Sequence, residues 1–306
     1  MSLRVPARDG YALGAILYTR EQQYDPADAI VFNTGGGLAM QRYRHFLRFL
    51  AGSGMPVLAY DYRGIGASRP ERLRGFVAGL EDWAEFDQAG AIDFVASRFP
   101  GARIASVSHS VGGLIACTAP NAGTVHQYVY LCPHTGYWKD YRNPWRWPMA
   151  LTWHVAMPLI ARTLGYFPGR SLRLGDDLPL RFALQWAGRT SPEFHLGAAG
   201  AEVSRGQAML DRARALRVPG MALTVFDDAF VSEAGLRRFL YAIPEAPVAR
   251  ADIERATVGG MPVGHAGFFS RRHAALWPIV TRFLQTPMAS TGDSAQRAGH
   301  GPLADA

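Results

Sequence analysis

The segment of the sequence with the clearest chemistry is residues 104–113, IASVSHSVGG, in which Ser110 follows a short apolar run. An apolar strand that leads through a serine into a helix is typical of a nucleophile elbow, the tight turn that presents a reactive serine. The usual pattern is G-x-S-x-G; here Ser108, which is also small, replaces the first glycine, and Gly112 keeps the second. The segment therefore predicts Ser110 as a nucleophile and the N–H of Val111, at the start of the helix, as a donor to an oxyanion.

A serine nucleophile requires a base and a carboxylate that orients this base, and with this type of elbow both follow the serine in the chain. His265 is the candidate base, because the glycines at 264 and 267 flank it and allow a loop to place its ring over a neighbouring strand end. Two adjacent acids, Asp227 and Asp228, follow an apolar run and are both candidate orienting groups. The order serine, acid, histidine predicts nucleophilic acyl transfer.

A second oxyanion donor is expected from a glycine-rich loop, residues 33–40 (NTGGGLAM), which follows another apolar run. Three consecutive glycines allow a backbone to turn its N–H groups toward a ligand. Gly36, Gly37, Leu38 and Ala39 are all candidates, and Gly37 and Leu38 are favoured. No Lys-Ser or Lys-Thr follows these glycines, so the loop is unlike one that binds nucleotide phosphates.

Short apolar runs alternate with segments of helical periodicity along most of the chain, and Asp9-Gly10 between two alternating segments predicts an N-terminal hairpin. Runs that are apolar on both faces are typical of parallel strands covered by helices on both sides. The predicted fold class is α/β, with a doubly wound, mostly parallel sheet. The runs that we assign to buried strands are 29–32, 57–60, 104–107, 128–131 and 221–226.

The alternation stops at residues 133–204, which contain five of the seven tryptophans and many prolines. We expect a helical cap insertion here that folds over one end of the sheet, with the α/β core formed by residues 1–132 and 205–286 and a disordered tail at 287–306. An aromatic cap next to the elbow predicts a pocket for an apolar or aromatic group. The candidate pocket residues are His109, Trp138, Trp145, Trp153 and Phe230.

The composition argues against several other classes of protein. The formal net charge is +7, but the cations are spread from Arg4 to Arg297, so we expect no nucleic-acid partner. Cys117 and Cys132 lie in apolar segments and form no metal-binding pattern, so we expect neither a disulfide framework nor a metal or other cofactor. No apolar stretch reaches the ~20 residues that span a bilayer or resembles a signal peptide, so we expect a cytoplasmic protein with a small-molecule substrate. The sequence does not indicate the oligomeric state.

The sequence resembles the α/β-hydrolases over residues 1–285. Besides the elbow and the late histidine, residues 61–68, DYRGIGAS, are similar to the D-x-R-G-x-G-x-S of that superfamily. Residues 41–43, 61–64 and 264–269 (QRY, DYRG and GHAGFF) narrow the resemblance to a group of predicted bacterial α/β-hydrolases of the serine hydrolase type. The resemblance implies the α/β-hydrolase fold and a Ser-His-Asp triad.

In this superfamily the triad acid begins a D-x-x-V-P pattern after the penultimate long strand. Residues 228–232, DAFVS, fit that pattern except for the serine at 232, so the resemblance implies Asp228 rather than Asp227 as the acid. With Ser110 and His265, Asp228 would then hydrolyse an ester, or a related acyl bond, of a small apolar or aromatic substrate through an acyl-enzyme.

Other functions stay open beside this one. The same triad supports acyl transfer to an alcohol or amine, peptide cleavage and C–C bond hydrolysis. A non-catalytic ligand-binding homologue is a further alternative, against which the order of the triad residues argues. A lipase that docks on a membrane through residues 145–167 is disfavoured, because this segment lacks the Lys/Arg-rich polar face expected of such a helix.

Overall fold

A mostly parallel sheet runs through the centre of the protein. The structure, a computed structural model, describes residues 1–20, 25–191 and 201–286. Within these ranges the strands are β1 (Ser2–Pro6), β2 (Ala12–Tyr18), β3 (Asp28–Asn33), β4 (Val57–Tyr60), β5 (Arg103–His109), β6 (Gln127–Leu131), β7 (Tyr166–Phe167), β8 (Leu178–Pro179), β9 (Gly220–Val225) and β10 (Val248–Ile253).

The order of the strands in this sheet is β1-β2-β4-β3-β5-β6-β9-β10, and β7 and β8 form a separate antiparallel ladder. β2 pairs antiparallel with β1 and with β4, while the neighbours from β4 to β10 are parallel. Parallel neighbours need crossover connections, and helices supply them along the chain. The predicted α/β fold class with a doubly wound, mostly parallel sheet is confirmed.

The helices connect and cover the strands, and α1, α3 and α4 below are among those that contact the sheet. A π-helical turn at 83–88 joins α2 to α3, and another at 152–156 joins α5 to α6. In the described residues the α-helices are α1 (Arg44–Gly52), α2 (Leu80–Asp82), α3 (Ala89–Arg98), α4 (Gly112–Thr118), α5 (Arg146–Leu151), α6 (Met157–Leu164), α7 (Leu180–Ala187), α8 (Ala201–Arg214), α9 (Glu233–Tyr241), α10 (Gly264–Gly267) and α11 (Pro278–Gln285).

Five strands, β3, β4, β5, β6 and β9, coincide with the five apolar runs of the sequence. Every residue of β4 and β6 is buried, as expected for strands between two helical layers. β10 was not predicted, because it is an edge strand whose side chains are mostly exposed or half-buried, so it shows no continuous apolar run.

The elements between β6 and β9 are α5 to α8 together with the β7–β8 ladder. This ladder lies in the stretch for which the sequence indicated no strand; two residues a side are too few to give an alternating pattern. The predicted boundary after residue 204 falls inside α8, and Arg212 of α8 donates to the Thr118 carbonyl oxygen of α4 at 2.7 Å. Residues 192–200 of the predicted cap and the predicted tail at 287–306 lie outside the described residues.

A stacked column of four aromatic rings ties α7 to the core. Tyr62 stacks on Trp83 with ring centroids 4.7 Å apart, and Trp83 stacks on Phe182 of α7 at 4.2 Å. The column ends at Trp186, whose ring lies 6.1 Å from that of Phe182. Hydrogen bonds reinforce it, because Gln185 of α7 accepts from the N–H of Leu80 at 2.9 Å. The stacked rings and this hydrogen bond hold α7 against α2 and the π-helical turn that follows it.

The carboxyl ends of β5, β6 and β9 lie side by side at one edge of the sheet, because these strands are parallel neighbours. Ser110 directly follows β5, His134 comes three residues after β6, and Asp228 comes three residues after β9. Side chains that are far apart in the chain are thus brought together at this edge.

Candidate active site

The turn after β5 holds Ser110 in a left-handed backbone conformation, with φ of 58°. A non-glycine residue in this region is uncommon and is typical of strained functional turns. The turn also brings Gly112 so close to the loop after β3 that a Cβ at Gly112 would lie 2.4 Å from the carbonyl oxygen of Thr34, so only glycine fits there. Ser108, which stands where the usual pattern has its first glycine, fits at this position, and its hydroxyl donates to the Val129 carbonyl oxygen at 3.1 Å.

His265 connects Ser110 to a carboxylate. Its Nε2 lies 2.9 Å from the Ser110 Oγ, and its Nδ1 lies 2.8 Å from an Asp228 carboxylate oxygen. In this arrangement Nδ1–H donates to Asp228, and Nε2 can accept the serine proton. The structure therefore brings together the three side chains that the sequence analysis favoured.

Asp228 is fully buried, and its second oxygen accepts from the N–H groups of Phe230 at 2.8 Å and Val231 at 3.2 Å. Burial by itself raises the pKa of this carboxyl, but the neighbouring His265 and these hydrogen bonds outweigh burial and lower the pKa to about 2. Asp228 is consequently ionised at any pH near neutrality, as an orienting acid must be.

Asp227, the other candidate acid, does not contact the imidazole. Its two oxygens accept from the N–H groups of Val263 at 2.9 Å and Gly264 at 2.8 Å. These hydrogen bonds hold the loop that carries His265. The two adjacent acids therefore have different roles: Asp228 orients the ring, and Asp227 anchors the backbone next to it.

His109 precedes Ser110 in the sequence but does not line the cavity. Its Nε2–H donates to the carbonyl oxygen of His265 at 2.9 Å, and its Nδ1 accepts from the Tyr43 hydroxyl at 2.9 Å. The carbonyl oxygen of His265 can only accept, which fixes the direction of this chain, and the Tyr43 hydroxyl in turn accepts from the Gly35 N–H at 3.0 Å. Burial lowers the pKa of His109 well below 6.5, so the ring is neutral. The assignment of His109 to the pocket is wrong: the ring positions the backbone of His265.

A second histidine, His134, also contacts Ser110 and was missed in the sequence analysis. Its Nε2 lies 2.9 Å from the Ser110 Oγ, and its Nδ1 accepts from the Gly136 N–H at 3.1 Å. Burial and then the nearby His265 lower its pKa from 6.5 to about 3, so the ring is neutral. A neutral ring that accepts at Nδ1 carries its proton on Nε2, and Nε2–H therefore donates to the Ser110 Oγ.

The loop after β3 reaches the elbow through Gly36, where a Cβ would lie 3.0 Å from a methyl group of Val111. The N–H of Leu38 donates to the Gly35 carbonyl oxygen at 3.1 Å, so Leu38 is not a second oxyanion donor, in contrast to the prediction. Gly37 has a φ of 70°, and its carbonyl oxygen accepts from the Asp176 N–H at 2.7 Å. Gly36, Gly37 and Val111 all line the cavity next to Ser110.

This cavity has a volume of about 230 Å³ and lies over Ser110 and His265. Among the described residues that line it none is Asp, Glu, Lys or Arg. Trp153 and Phe230 line it as predicted, but Trp138 and Trp145 do not: the Trp138 ring packs on Trp147, and Trp145 is exposed. Most of its wall is apolar and comes from Trp153, Met157, Phe167, Leu178, Phe182 and Phe230.

One cluster of potential metal ligands occurs in the described residues, formed by Cys132, Asp228 and His265. Burial raises the pKa of the Cys132 thiol well above its ordinary value of 9.0, so the thiol stays protonated. It donates to Asp228, which also contacts His265. Hydrogen bonds among these three side chains account for their proximity.

A model of the hydrolase family described as serine aminopeptidase, S33, matches residues 24–256. The chain belongs to this family. It is therefore an α/β-hydrolase, as the sequence resemblance implied, and a hydrolytic enzyme. No curated protein matches this S33-family hydrolase at a significant level.

Solved structures show the same fold over nearly the whole S33-family chain. An esterase of Pyrococcus furiosus superposes with a TM-score of 0.59 at 14% identity, covering 93% of this chain and 89% of that one. A soluble variant of monoglyceride lipase from Saccharomyces cerevisiae gives a TM-score of 0.61 at 15% identity, covering 93% and 96%. The esterase domain of a Rhodothermus marinus protein gives 0.56 at 14% identity, covering 92% and 96%. In the described part of the S33-family hydrolase, no helix combines the length and apolarity that crossing a bilayer requires.

Acidification is expected to destabilise this S33-family hydrolase, and less steeply after His134→Gln. His134 takes up a proton near pH 6.5 in the unfolded chain but only near pH 3 in the folded protein. The free energy of unfolding therefore falls as the pH drops below 6.5, by up to about 1.4 kcal/mol per pH unit for this one group. Urea unfolding at a series of pH values measures the slope; equal slopes for wild type and variant would contradict the assignment.

Proposed function

We propose that this enzyme is a serine esterase that hydrolyses esters of small, uncharged apolar or aromatic groups. The observation that carries the proposal is the continuous chain of hydrogen bonds from Ser110 through His265 to Asp228 at the base of an apolar cavity. The cavity, of about 230 Å³, is smaller than the ~300–1,000 Å³ typical of ligand sites, which favours a short acyl or alkoxy group.

The reaction begins when His265 takes the proton of Ser110 and the Oγ attacks the ester carbonyl carbon. The oxyanion that forms accepts from the backbone N–H groups of Val111 and Gly36, the residues that bring the elbow and the glycine loop together. His265 then gives the proton to the departing alcohol. Water attacks the acyl-enzyme by the same route, with His265 as base, and the acid leaves as His265 returns a proton to the Oγ.

His134 adds a neutral donor to this scheme. Its Nε2–H donates to the Oγ in the resting enzyme, so the hydroxyl proton of Ser110 points to His265 and not to His134. The same donor stabilises negative charge on the Oγ during attack, and again when the Oγ is the leaving group in deacylation. Because the pKa of His134 is only about 3, it does not compete with His265 for a proton.

Replacing His134 with phenylalanine is expected to lower kcat by about ten- to a hundredfold, the equivalent of one hydrogen bond to a developing charge. His134→Gln keeps an N–H donor and should retain more activity than His134→Phe. The acid limb of the pH–rate profile should keep its midpoint in both variants, because His134 does not titrate in that range. Steady-state assays of a p-nitrophenyl ester from about pH 5 to 9 measure kcat and the midpoint of the acid limb. An unchanged kcat in His134→Phe would show that His134 takes no part in the mechanism.

The family description raises aminopeptidase activity as the second candidate. An aminopeptidase must hold the free ammonium group of its substrate, and desolvating that charge requires an anionic partner. No described residue that lines the cavity carries a carboxylate. The lining therefore favours an ester over an aminoacyl substrate.

The proposal is tested with p-nitrophenyl esters of increasing acyl length and with p-nitroanilides of apolar amino acids. We expect turnover of short esters, a decline in kcat/KM with longer chains, and no turnover of anilides with a free amino group. Turnover of the anilides in preference to the esters would establish an aminopeptidase instead. Transfer of the acyl group to an added alcohol faster than to water would identify an acyltransferase.

A further inference from the structure

The helix of the cap that covers the cavity has a second apolar face, which points outward. Trp147, Leu151, Val155 and Leu159 recur at every fourth position of α5, the π-turn and α6, and are 68%, 63%, 56% and 64% exposed. We call these four residues the outer stripe. A surface helix normally turns polar side chains to water, and a contiguous row of large apolar side chains marks an interaction surface.

The opposite face of the same helix lines the cavity through Trp153 and Met157. The body of the protein therefore covers this inner face, and the helix does not need a polar face of its own to be anchored. The sequence analysis disfavoured lipid docking because that polar face is missing. The structure removes this objection, because the rest of the protein, and not the helix itself, supplies the polar surface that surrounds the apolar face.

Charge around the outer stripe is positive. Residues 141–175 contain five arginines and no acid. Within this range Arg162 is exposed. The acids on either side are paired: Asp140 with Arg238 at 2.8 Å, and Asp176 at 2.6 Å with Arg170, which is itself one of the five arginines.

Cations also lie at both ends of the outer stripe. At the carboxyl end of α6 the guanidinium of Arg74 donates to the carbonyl oxygens of Thr163 and Leu164 at 3.1 and 3.0 Å. At the other end the Lys139 ammonium lies 5.9 Å from the centre of the Trp138 ring, which itself packs on Trp147 of the stripe. Apolar side chains flanked by cations fit a surface that is apolar within and anionic at its boundary.

We infer that the outer stripe docks on an anionic lipid surface, with its side chains in the boundary between headgroups and acyl chains and the flanking cations on the headgroups. A second copy of this chain is a poorer occupant, because it would bring the same cations face to face. Leu174, which is 49% exposed, also lines the cavity. Trp153 and Met157 of the stripe helix line the cavity as well, so docking would bring the active site close to the bilayer and to esters dissolved in it. This last step alone rests on the proposed esterase function.

Vesicle flotation tests the inference with the double variant Leu151→Ser/Leu159→Ser and the control Val203→Ser/Tyr241→Ser. The control residues are also exposed, at 42% and 67%, but lie on α8 and α9. Vesicles contain roughly equal parts of phosphatidylglycerol and phosphatidylcholine, or phosphatidylcholine alone. We expect wild type and control to bind the anionic vesicles, binding to weaken with salt, and the stripe variant to bind at least about tenfold more weakly.

A water-soluble ester is assayed in parallel, and the stripe variant should hydrolyse it at the wild-type rate. Unchanged hydrolysis with lost vesicle binding supports lipid docking. Equal vesicle binding by stripe variant and wild type, or no binding by wild type, overturns it. A wild-type dimer in sedimentation that the stripe variant dissociates also overturns it, and assigns the stripe to self-association. Absence of ester hydrolysis in wild type would refute the proposed function and leave the vesicle result to stand by itself.

Discussion

Ser110→Ala is expected to lower kcat/KM for a p-nitrophenyl ester by about 10⁴-fold or more and to abolish covalent labelling by a fluorophosphonate. The Oγ is the atom that both histidines contact, at 2.9 Å each, and alanine removes it. Alanine keeps the size of the residue in the buried turn, and the fold should be retained. Labelling is read by intact-protein mass spectrometry.

Ser108→Ala is the matched control, because Ser108 lies two residues away and its hydroxyl donates to a backbone carbonyl of the next strand. This variant should still be labelled and should keep most of the activity. Equal labelling of Ser110→Ala and wild type would place the nucleophile elsewhere. Labelling of wild type without hydrolysis of any ester would instead favour a transferase, with Ser110 still the nucleophile.

Asp228→Asn is expected to lower kcat by about 10³- to 10⁴-fold, whereas Asp227→Asn should cost about tenfold or less. An amide at position 228 can donate to Nδ1 of His265, which leaves the proton on Nε2 and prevents that atom from accepting the serine proton. At position 227 one of two hydrogen bonds to the His265 loop is lost, while the imidazole keeps its acid.

The comparison is made at saturating substrate with both variants checked for folding by circular dichroism. Covalent labelling of Asp228→Asn should be slow but should reach completion, since the nucleophile is intact. A larger loss in Asp227→Asn than in Asp228→Asn would reverse the two roles.

The parts of the fold and site that follow from short local patterns could be predicted from the sequence. The elbow around Ser110 and the glycines around His265 are such patterns, and the buried strands appear as apolar runs because helices cover them on both sides. β10 lacks such a run, since an edge strand is partly open to water. Its position in the sheet follows from pairing with β9 and is not visible in its own residues.

The remaining site residues depend on which strands are neighbours. His134 contacts Ser110 because β6 pairs with β5, and the residues near position 134 do not show which strand is the neighbour. The one available signal was that His134 closely follows a predicted strand. Asp227 and Asp228 are adjacent in a turn, so their side chains take different directions that only the backbone conformation decides. Tryptophans of the cap divide between cavity and surface for the same reason: Trp153 faces in, and Trp145 faces out.

The stacked column of rings starts in the core and ends in the cavity wall, so core residues help to determine the dimensions of the cavity. Trp83 stacks directly behind Phe182 and Tyr62 behind Trp83, so a ligand that pushed Phe182 toward the core would have to displace these two rings as well. Under the proposed esterase function, selectivity for acyl length would depend on Trp83 and Tyr62, neither of which lines the cavity. Evolution or design could retune it by trimming Tyr62 or Trp83, without altering the chemistry at the serine.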